Sequence, residues 1–509
     1  PELSGGWVLP PIVALQDRQN LVLSFAQQRL WFIDRLEGGS AHYNISGAVR
    51  VRGSLDREAF SRALGAIVQR HEALRTVFRE LGGKAIQVVQ AGTADLLVQE
   101  DLRGLAEEER EREGVRRARE DARKPFDLSR DLMMRATLLT LSEREHVILL
   151  SMHHIASDGW SMGVLLRELG ALYEAFRSGG ESPLPPLSVQ YADYAAWQRQ
   201  WLRGEVLDAQ MSYWRSRLEG LPVVHGLPLD APRPAREGFE GGQHVAASGT
   251  DLTERIAALC RKRGVTPFMV LQAAFAILLG RTSQETDVVM GSPIAGRVHR
   301  DLEPLIGFFV NTLVLRTDLS GDPRVEDFLA AGKQTILDAY AHQHLPFEML
   351  VEELRPERSL SHSPLFQILF VLQNRAVGGT GLGGSRLEAV GEGSGIVKLD
   401  LELNALEHEE GLILTWLYKT DLFEAATVER MAVRFGVLLE GLLAHPEARV
   451  QDLPLLGESD RSQLSAWNAT AAAYPVAPCL HGLIAAQAGR TPEATAVEAE
   501  GLSLSFGEL

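Results

Sequence analysis

The adjacent histidines His153 and His154, followed by Asp158 and Gly159, are residue types that can do acid–base chemistry. An imidazole exchanges its proton near neutral pH, and a neighbouring carboxylate can fix a ring nitrogen or pair with an arginine. In an extended strand, adjacent side chains point to opposite faces. We therefore expect only one histidine to face a cleft, while the other packs behind it. A single histidine in an apolar strand is more typical of a satisfied core residue than of a functional one.

A metal site is the second interpretation of this pattern. Histidine, histidine and aspartate are possible zinc ligands, but adjacent strand histidines diverge and no second ligand cluster has suitable spacing. The chain has only two cysteines, Cys260 and Cys479, far apart in the sequence. They predict neither a disulfide framework nor a cysteine zinc site. We expect no bound metal and a reducing, cytoplasmic location.

The elements around the histidine pair place it at a turn. Residues 146–155 carry the unbroken apolar run of a buried strand, and residues 133–140 predict a neighbouring strand. After Gly159, apolar residues recur at three- and four-residue steps, which predicts a helix. The turn between a buried strand and the next helix is where α/β folds commonly place their sites.

Strand and helix patterns alternate along the rest of the chain, so the predicted fold class is α/β. Ser24 and Gln27 form a possible capping box before a helix. Proline- and glycine-rich segments at 179–186, 220–242 and 378–395 predict loops. Further helices are expected at 55–77, 107–123, 251–263, 267–279 and 427–443, and further strands at 43–52, 287–290, 308–316 and 412–418.

The composition excludes several classes of partner. The 509 residues are too many for one ordinary core, so two to four structural units are expected. A formal net charge of −16 disfavours binding to nucleic acid or to an anionic membrane. No apolar run reaches the roughly 20 residues needed to span a bilayer, and no secretory signal is visible at the N-terminus. The chain is interpreted as a monomeric piece excised from a larger protein.

Seven motifs follow one another over roughly residues 21–455. They are LSFAQQRLWFIDRL (23–36), RHEALRTVF (70–78), MHHIASDGWS (152–161), YADYAAW (191–197), IGFFVNTLVLR (306–316), HQHLPFE (342–348) and RSLSHSPLFQ (358–367). In this order they resemble the motifs of the condensation domains of non-ribosomal peptide synthetases, and MHHIASDGWS resembles the defining motif of that family. Two departures are His344, where the family usually has aspartate, and a loosened pattern at residues 358–365.

The resemblance implies two lobes, each like a chloramphenicol acetyltransferase subunit, set in a V-shaped pseudo-dimer around a central tunnel. Residues 464–475 resemble the linker to an adenylation domain, and residues 480–509 resemble the first part of that domain. The implied boundaries are 1–20 for a linker from a preceding carrier domain, 21–186 for the N-terminal lobe, 187–455 for the C-terminal lobe, 456–479 for a linker and 480–509 for a truncated adenylation start.

The resemblance also implies the chemistry. An acceptor amine attacks a donor thioester, giving an amide and a free thiol. His154 matches the catalytic position, where it either removes the amine proton or stabilises the tetrahedral intermediate. His153, Asp158, Gly159 and Arg297 would support the site, with Asp158 ion-paired to Arg297. The candidates for lining the tunnel or contacting substrate are Trp160, Ser161, Asn311 and Ser363.

The partners implied are an upstream donor carrier domain, a downstream acceptor carrier domain and the adjacent adenylation domain. Both substrates would arrive on 4'-phosphopantetheine arms, so the domain itself would bind no cofactor. Two alternatives stay open: an acyltransferase that uses coenzyme A thioesters, and a non-catalytic carrier-docking domain of the same fold. The histidine motif disfavours a heterocyclization domain, in which an Asp-rich motif replaces it. No match to the glutamate motif of an epimerization domain is found.

Overall fold

The structure is a computed structural model that describes residues 8–92, 96–357, 359–373, 386–389, 395–473 and 479–509. Two compact units are present, Pro1–Leu455 and Leu456–Leu509. Some segments discussed in the sequence analysis lie outside the described residues. They are residues 1–7 of the first linker, Arg358, residues 474–478 and most of the glycine-rich segment 378–395.

The first part of the larger unit carries the histidine pair on a mixed sheet. Five strands follow the order β12-β2-β7-β6-β5, where β12 is Arg386–Ala389, and a three-stranded sheet has the order β1-β4-β3. The strands are β1 (Leu21–Val22), β2 (Asn44–Arg52), β3 (Thr76–Leu81), β4 (Lys84–Val89), β5 (Leu97–Asp101), β6 (Met134–Ser142) and β7 (Glu145–His153). The helices are α1 (Phe25–Glu37), α2 (Arg57–Arg70), α3 (Glu107–Arg123), α4 (Gly159–Arg177), α5 (Tyr191–Trp201) and α6 (Glu205–Arg217).

Local signals explain several of these elements. The capping box at α1 is confirmed, because Ser24 Oγ accepts from Gln27 N at 3.1 Å and Gln27 Oε1 accepts from Ser24 N at 3.1 Å. The helix predicted over 55–77 was too long. It ends at Arg70, a short 3₁₀ turn follows, and Thr76 pairs with Val89 at the start of β3. Pairing with a distant strand overrides the helical apolar spacing there.

The second part of this unit is built on a six-stranded sheet of order β10-β9-β11-β13-β14-β8. The strand predicted at 308–316 begins later, at Asn311, which leaves Phe308 and Phe309 in the preceding loop. The strands are β8 (Gly241–Ala247), β9 (Asp287–Ile294), β10 (Asn311–Asp318), β11 (Ile368–Gln373), β13 (Leu401–His408) and β14 (Gly411–Lys419), and the helices are α7 (Thr250–Arg263), α8 (Pro267–Ser283), α9 (Val325–Ala341), α10 (Phe347–Leu354) and α11 (Ala425–Ala444).

One short strand, β12 (Arg386–Ala389), crosses between the two sheets. It pairs antiparallel with β2, with Leu387 opposite Val51 and Ala389 opposite Val49. Its position in the chain falls within the range predicted for the second lobe. The chain therefore returns from the second sheet to complete the first.

Four apolar clusters are found among the described residues of the larger unit, and the three largest organise it. One lies beneath the six-stranded sheet around α8, and another packs α2 and α4 on the five-stranded sheet. The third, called the seam cluster here, joins residues from both parts of the chain. It includes Ile155 and Ala156 from the histidine motif and Leu302, Leu305 and Phe309 from the second part. The histidine motif therefore sits on a core that both parts share.

The smaller unit contains α12 (Glu458–Asn468), α13 (Leu480–Arg490) and an antiparallel pair, β15 (Thr495–Ala499) and β16 (Leu502–Ser505). In the described ranges, no single helix has the length and apolar character needed to cross a bilayer. The pair α7 and α8, bent by 104°, meets that requirement only when the two helices are taken together.

Candidate active site

The two histidines differ because a strand ends between them. β7 ends at His153, and His154 opens a 3₁₀ turn, so strand alternation is not what separates the two side chains. His153 N donates to Met133 O at 3.1 Å, and His154 N donates to Tyr43 O at 2.8 Å. The expected inequivalence is present, but the turn causes it.

His153 is a buried, hydrogen-bonded core residue. Its Nδ1 accepts from Ile155 N at 3.1 Å, which assigns the ring proton to Nε2. The Phe126 ring lies edge-on, with its centroid 5.9 Å away. Burial, with the neighbouring His154 and Lys398, lowers the pKa of His153 to about 3. This side chain is therefore neutral at pH 7 and holds the turn.

His154 is partly buried and has an unused ring nitrogen. Its ring lies edge-on to Phe308, with centroids 4.8 Å apart. Within the described residues, its Nδ1 is buried and has no hydrogen-bond partner. Burial first, and then the positive charge of Lys398, lowers the pKa of His154 to about 3. A neutral imidazole at pH 7 leaves one nitrogen able to accept a hydrogen bond or a proton.

Asp158 caps α4 and is fully engaged. Its Oδ1 accepts from Ser161 N at 2.8 Å and from the Arg297 guanidinium at 3.1 Å. Its Oδ2 accepts from Phe309 N at 3.0 Å. Of the two roles left open for this carboxylate, the structure shows the arginine pair, and no hydrogen bond joins Asp158 to a histidine ring in the described part of the chain.

Arg297 reaches the histidine motif from the second part of the chain. Its side chain and that of Asp158 are each 2% exposed. The guanidinium also donates to Leu302 O at 2.5 Å and to Ser161 Oγ at 3.0 Å, and lies 4.2 Å from the centre of the Phe309 ring. Burial lowers the pKa of Arg297, but a guanidinium stays charged at neutral pH. The expected ion pair is thus present, and it links the two parts beside the histidines.

Two predicted substrate contacts are occupied by internal hydrogen bonds. Ser161 is completely buried, and its hydroxyl lies 2.7 Å from Asp158 Oδ1 and accepts from Gly307 N at 3.1 Å. Asn311 Nδ2 donates to two carbonyls, at 2.8 and 2.9 Å, and its Oδ1 accepts from Phe347 N at 3.0 Å. With these groups engaged, both residues position neighbouring segments, and their contact with substrate stays a prediction.

The remaining predicted residues are more open. Trp160 is 44% exposed and donates through Nε1 to Glu303 O at 3.0 Å. Gly159 does not adopt the left-handed backbone region, and an added Cβ would meet no atom within 4 Å, so this turn does not require glycine. Ser363 is partly buried, and its carbonyl accepts from Gln367 Nε2 at 2.8 Å. No described hydrogen bond joins Ser363 to the histidine motif.

Sequence reasoning missed a second buried support. His71 Nε2 lies 2.8 Å from Glu168 Oε2, and its Nδ1 accepts from Ile306 N at 3.2 Å. Arg70 Nε donates to the same carboxylate at 3.1 Å. Arg70 and His71 open the motif at 70–78, which was the available signal. This cluster ties α4 to the segment that carries Phe308.

Two features lie away from the histidines. His344, the departure from the family pattern, packs edge-on against Trp201 with centroids 4.7 Å apart, and burial lowers its pKa to about 4. A cleft of about 490 Å³ runs along α3 and is lined mainly by arginines, including Arg112, Arg119 and Arg123. It contains none of the predicted site residues. The described ranges hold no group of three or more potential metal ligands.

Comparison with known proteins agrees with this architecture. The condensation domain family matches residues 17–465. A linear gramicidin synthase protein from Brevibacillus parabrevis is 46% identical over 516 aligned residues, which cover all of this chain but only 7% of that protein. This chain therefore spans a small part of such relatives.

Two solved structures have the same fold. The X-domain from teicoplanin biosynthesis is 31% identical, with a TM-score of 0.78 over 88% of this chain and 100% of that chain. A four-domain nonribosomal peptide synthetase, AB3403, matches 96% of this chain and 37% of that chain, with a TM-score of 0.80 and 24% identity. The predicted α/β fold of condensation domains is confirmed. This chain belongs to the condensation domain family.

Proposed function

We propose that this domain forms amide bonds between acyl groups held as thioesters, as part of non-ribosomal peptide synthesis. The observation that carries the proposal is the neutral, partly buried His154 with an unused Nδ1, held at the end of β7. The buried pair Asp158–Arg297 fixes the adjoining turn. The similarity to linear gramicidin synthase and to a nonribosomal peptide synthetase supports the same reaction class.

The reaction needs no nucleophile from the protein, because the donor acyl group arrives activated. The acceptor amine attacks the donor carbonyl carbon, the carbon–sulfur bond breaks, and an amide and a free thiol form. The proton lost by the amine ends on the departing sulfur. Holding amine and thioester together contributes roughly 7–11 kcal/mol in well-oriented systems.

The pKa of His154 favours one role in this step. General bases work best when their pKa lies near the operating pH, and a pKa of about 3 makes His154 a weak base before the amine has reacted. Once the carbon–nitrogen bond forms, the amine nitrogen becomes cationic and much more acidic. His154 then orients the amine by accepting its hydrogen bond, and takes the proton only as that bond forms.

The partners we propose are a donor and an acceptor carrier domain, each presenting its substrate on a 4'-phosphopantetheine arm. An adjacent adenylation domain, beginning at residues 480–509, would supply the acceptor. The domain itself would hold no cofactor. The tunnel between two lobes, with Trp160 at an exposed position on α4, is proposed as the route of the arms.

A carrier-docking role without catalysis is the second candidate. The similarity to the X-domain from teicoplanin biosynthesis, which matches over the whole of that chain, favours considering it. The histidine pair favours chemistry instead. An acyltransferase acting on coenzyme A esters is the other alternative, and the same assay separates all three.

The deciding experiment mixes the 509-residue domain with a pair of carrier domains loaded with aminoacyl phosphopantetheine. Mass spectrometry of the acceptor carrier should show a dipeptidyl product. His154→Ala should lower the single-turnover rate by about 10²–10⁴-fold, the usual contribution of a positioned acid–base group, with little change in melting temperature.

His408→Ala provides the matched control, because His408 is exposed at the end of β13 and should leave the rate unchanged. Efficient turnover with aminoacyl coenzyme A in place of both carriers would favour the alternative acyltransferase. Carrier binding with no product from the native chain would favour the docking role.

A further inference from the structure

Tyr191 opens α5 and holds the loop that carries Phe308. The tyrosine is 2% exposed, and its hydroxyl donates to Phe308 O at 2.6 Å. The single phenolic proton is used in that bond, so Ser24 Oγ, 2.9 Å away, donates to the tyrosine oxygen. Burial raises the pKa of Tyr191, so the hydroxyl stays protonated at neutral pH. This hydroxyl therefore joins the capping residue of α1 to the loop before β10.

Side chains from the first part of the chain hold the loop at residues 306–309, which precedes β10. The three amide contacts are Ile306 N to His71 Nδ1 at 3.2 Å, Gly307 N to Ser161 Oγ at 3.1 Å and Phe309 N to Asp158 Oδ2 at 3.0 Å. The Phe308 carbonyl accepts from Tyr191. A Cβ on Gly307 would overlap the Tyr191 ring, so the ring and the hydroxyl of this tyrosine both contact the loop.

Phe308 is the member of this loop that contacts His154. Its ring lies edge-on to the imidazole, with centroids 4.8 Å apart, and the residue is only 9% exposed. The residue after His154 is also held, because Gln27 Nε2 donates to Ile155 O at 3.3 Å. Gln27 N in turn donates to Ser24 Oγ. Both supports of the imidazole therefore lead to the start of α1.

A purely structural role is the alternative for Tyr191, and Tyr194 shows what such a role looks like. Tyr194 lies three residues later on α5, and its hydroxyl accepts from Gln198 Nε2 at 3.2 Å, within the same helix. Both tyrosine rings pack against Phe309, with centroids 4.9 and 4.8 Å from it. The two tyrosines thus share a helix and a ring contact. They differ in that the hydroxyl of Tyr191 holds Phe308.

We propose that Tyr191 is a positioning residue whose hydroxyl fixes Phe308, so that the Phe308 ring fixes the orientation of the His154 imidazole. This inference rests on the proposed role of His154. A ring held in one orientation keeps its unused Nδ1 in one place, where it can accept from the acceptor amine. A misplacement of about 1 Å can cost 10²-fold in rate. Tyr191 acts through Phe308 and need not touch substrate.

The first test needs no substrate. In the 509-residue chain labelled with ¹³C at histidine Cε1, the His154 signal is assigned by its loss in His154→Gln. Tyr191→Phe removes only the hydroxyl, so the Phe308 ring should move and the His154 signal should shift with it. Tyr194→Phe is the matched control and should leave that signal at its native position. An unshifted His154 signal in Tyr191→Phe would overturn the inference.

The second test follows amide formation between loaded carrier domains. Tyr191→Phe should lower the single-turnover rate at saturating carrier by roughly tenfold, the rate equivalent of one hydrogen bond, and leave the half-saturating carrier concentration unchanged. Tyr194→Phe should keep the native rate. Phe308→Leu should lose at least as much as Tyr191→Phe, and combining the two should cost little more, because both act through the same ring.

A native rate in Tyr191→Phe, with the native chain active, would also contradict the inference. Absence of product from the native chain would count against the proposed function instead. The His154 signal would then still decide the role of Tyr191, because it is measured without carriers.

Discussion

Two buried clusters in the described part of the chain combine histidine, aspartate and arginine, but their hydrogen bonds connect different groups. In the second part of the chain, Asp400 is 1% exposed and accepts from His225 Nε2 at 3.1 Å and from Arg233 at 2.6 Å. At the histidine motif, Asp158 binds Arg297 and backbone amides, and His154 has no carboxylate partner in the described ranges.

The two clusters differ in how many histidine ring nitrogens take part in hydrogen bonds. His225 donates or accepts through both nitrogens, since its Nδ1 also accepts from Leu227 N at 3.2 Å. It holds the segment between α6 and β8 and has no nitrogen left for a substrate. The aspartate contact of His225 belongs to a structural joint, whereas His154 keeps one ring nitrogen without a hydrogen bond in the described part of the chain.

The largest expected effect comes from breaking the Asp158–Arg297 pair. Removing one partner of a buried ion pair costs about 3–5 kcal/mol, because the other charge is left uncompensated. Asp158→Ala and Arg297→Ala should each lower the free energy of unfolding by that amount, measured by urea denaturation, and should also reduce amide formation.

The double variant sharpens this result. Because the two side chains meet at 3.1 Å, their losses should be clearly less than additive. Fully additive losses would show that the contact contributes no coupling in solution.

A smaller effect is expected from His225→Ala. It removes a ring that makes two hydrogen bonds, each contributing about 0.5–1.5 kcal/mol, or somewhat more where the partner is charged. The free energy of unfolding should therefore fall by about 1–3 kcal/mol. The single-turnover rate per folded molecule should stay within about twofold of the native rate. A rate loss as deep as that of His154→Ala would abolish the distinction drawn between the two clusters.

The last expected effect is a pH dependence of stability that separates the clusters. His154 and His153 have pKa values lowered to about 3, so between about pH 6.5 and 3 the unfolded chain binds more protons than the folded one. Stability therefore falls as the pH drops through that window. The pKa of Asp400 is lowered to about 2, so its contribution is lost only below its unfolded value of 3.8.

This order can be measured as urea midpoints at pH 7, 5.5 and 4.5. The native chain should lose stability across the series. His154→Ala should lose less, because it lacks the imidazole whose pKa is lowered in the folded state. Asp400→Asn should be destabilised at every one of these pH values with an unchanged slope. Identical slopes for the native chain and His154→Ala would contradict the low pKa of that ring.

Local patterns predicted the elements that position the site. The apolar run into His153, the helix after Gly159 and the capping box at Ser24 each depend on neighbouring residues, and each was found. The pairing of Asp158 with Arg297 came from the family resemblance and is present in the geometry.

What could not be predicted depends on distant contacts. The strand ends at His153 because His154 N bonds to Tyr43 O, a contact that no local spacing encodes. The internal hydrogen bonds of Ser161 and Asn311 could not be foreseen, because their partners, such as Gly307 and Phe347, lie on other elements.

The seam cluster and its polar contacts have a consequence for how the protein is made. Asp158 and Arg297 are 139 positions apart, His71 and Ile306 are 235 apart, and the ion pair of Arg29 with Glu348 spans 319. Closing such long loops lowers the chain entropy before the contacts contribute any favourable energy. These contacts therefore form late in folding. During translation, the histidine pair is synthesised well before Arg297 and Phe308. We expect a nascent chain to fold the sheet around β7 early but to remain inert until the second part arrives, so that reactive thioesters meet a competent site only on finished molecules.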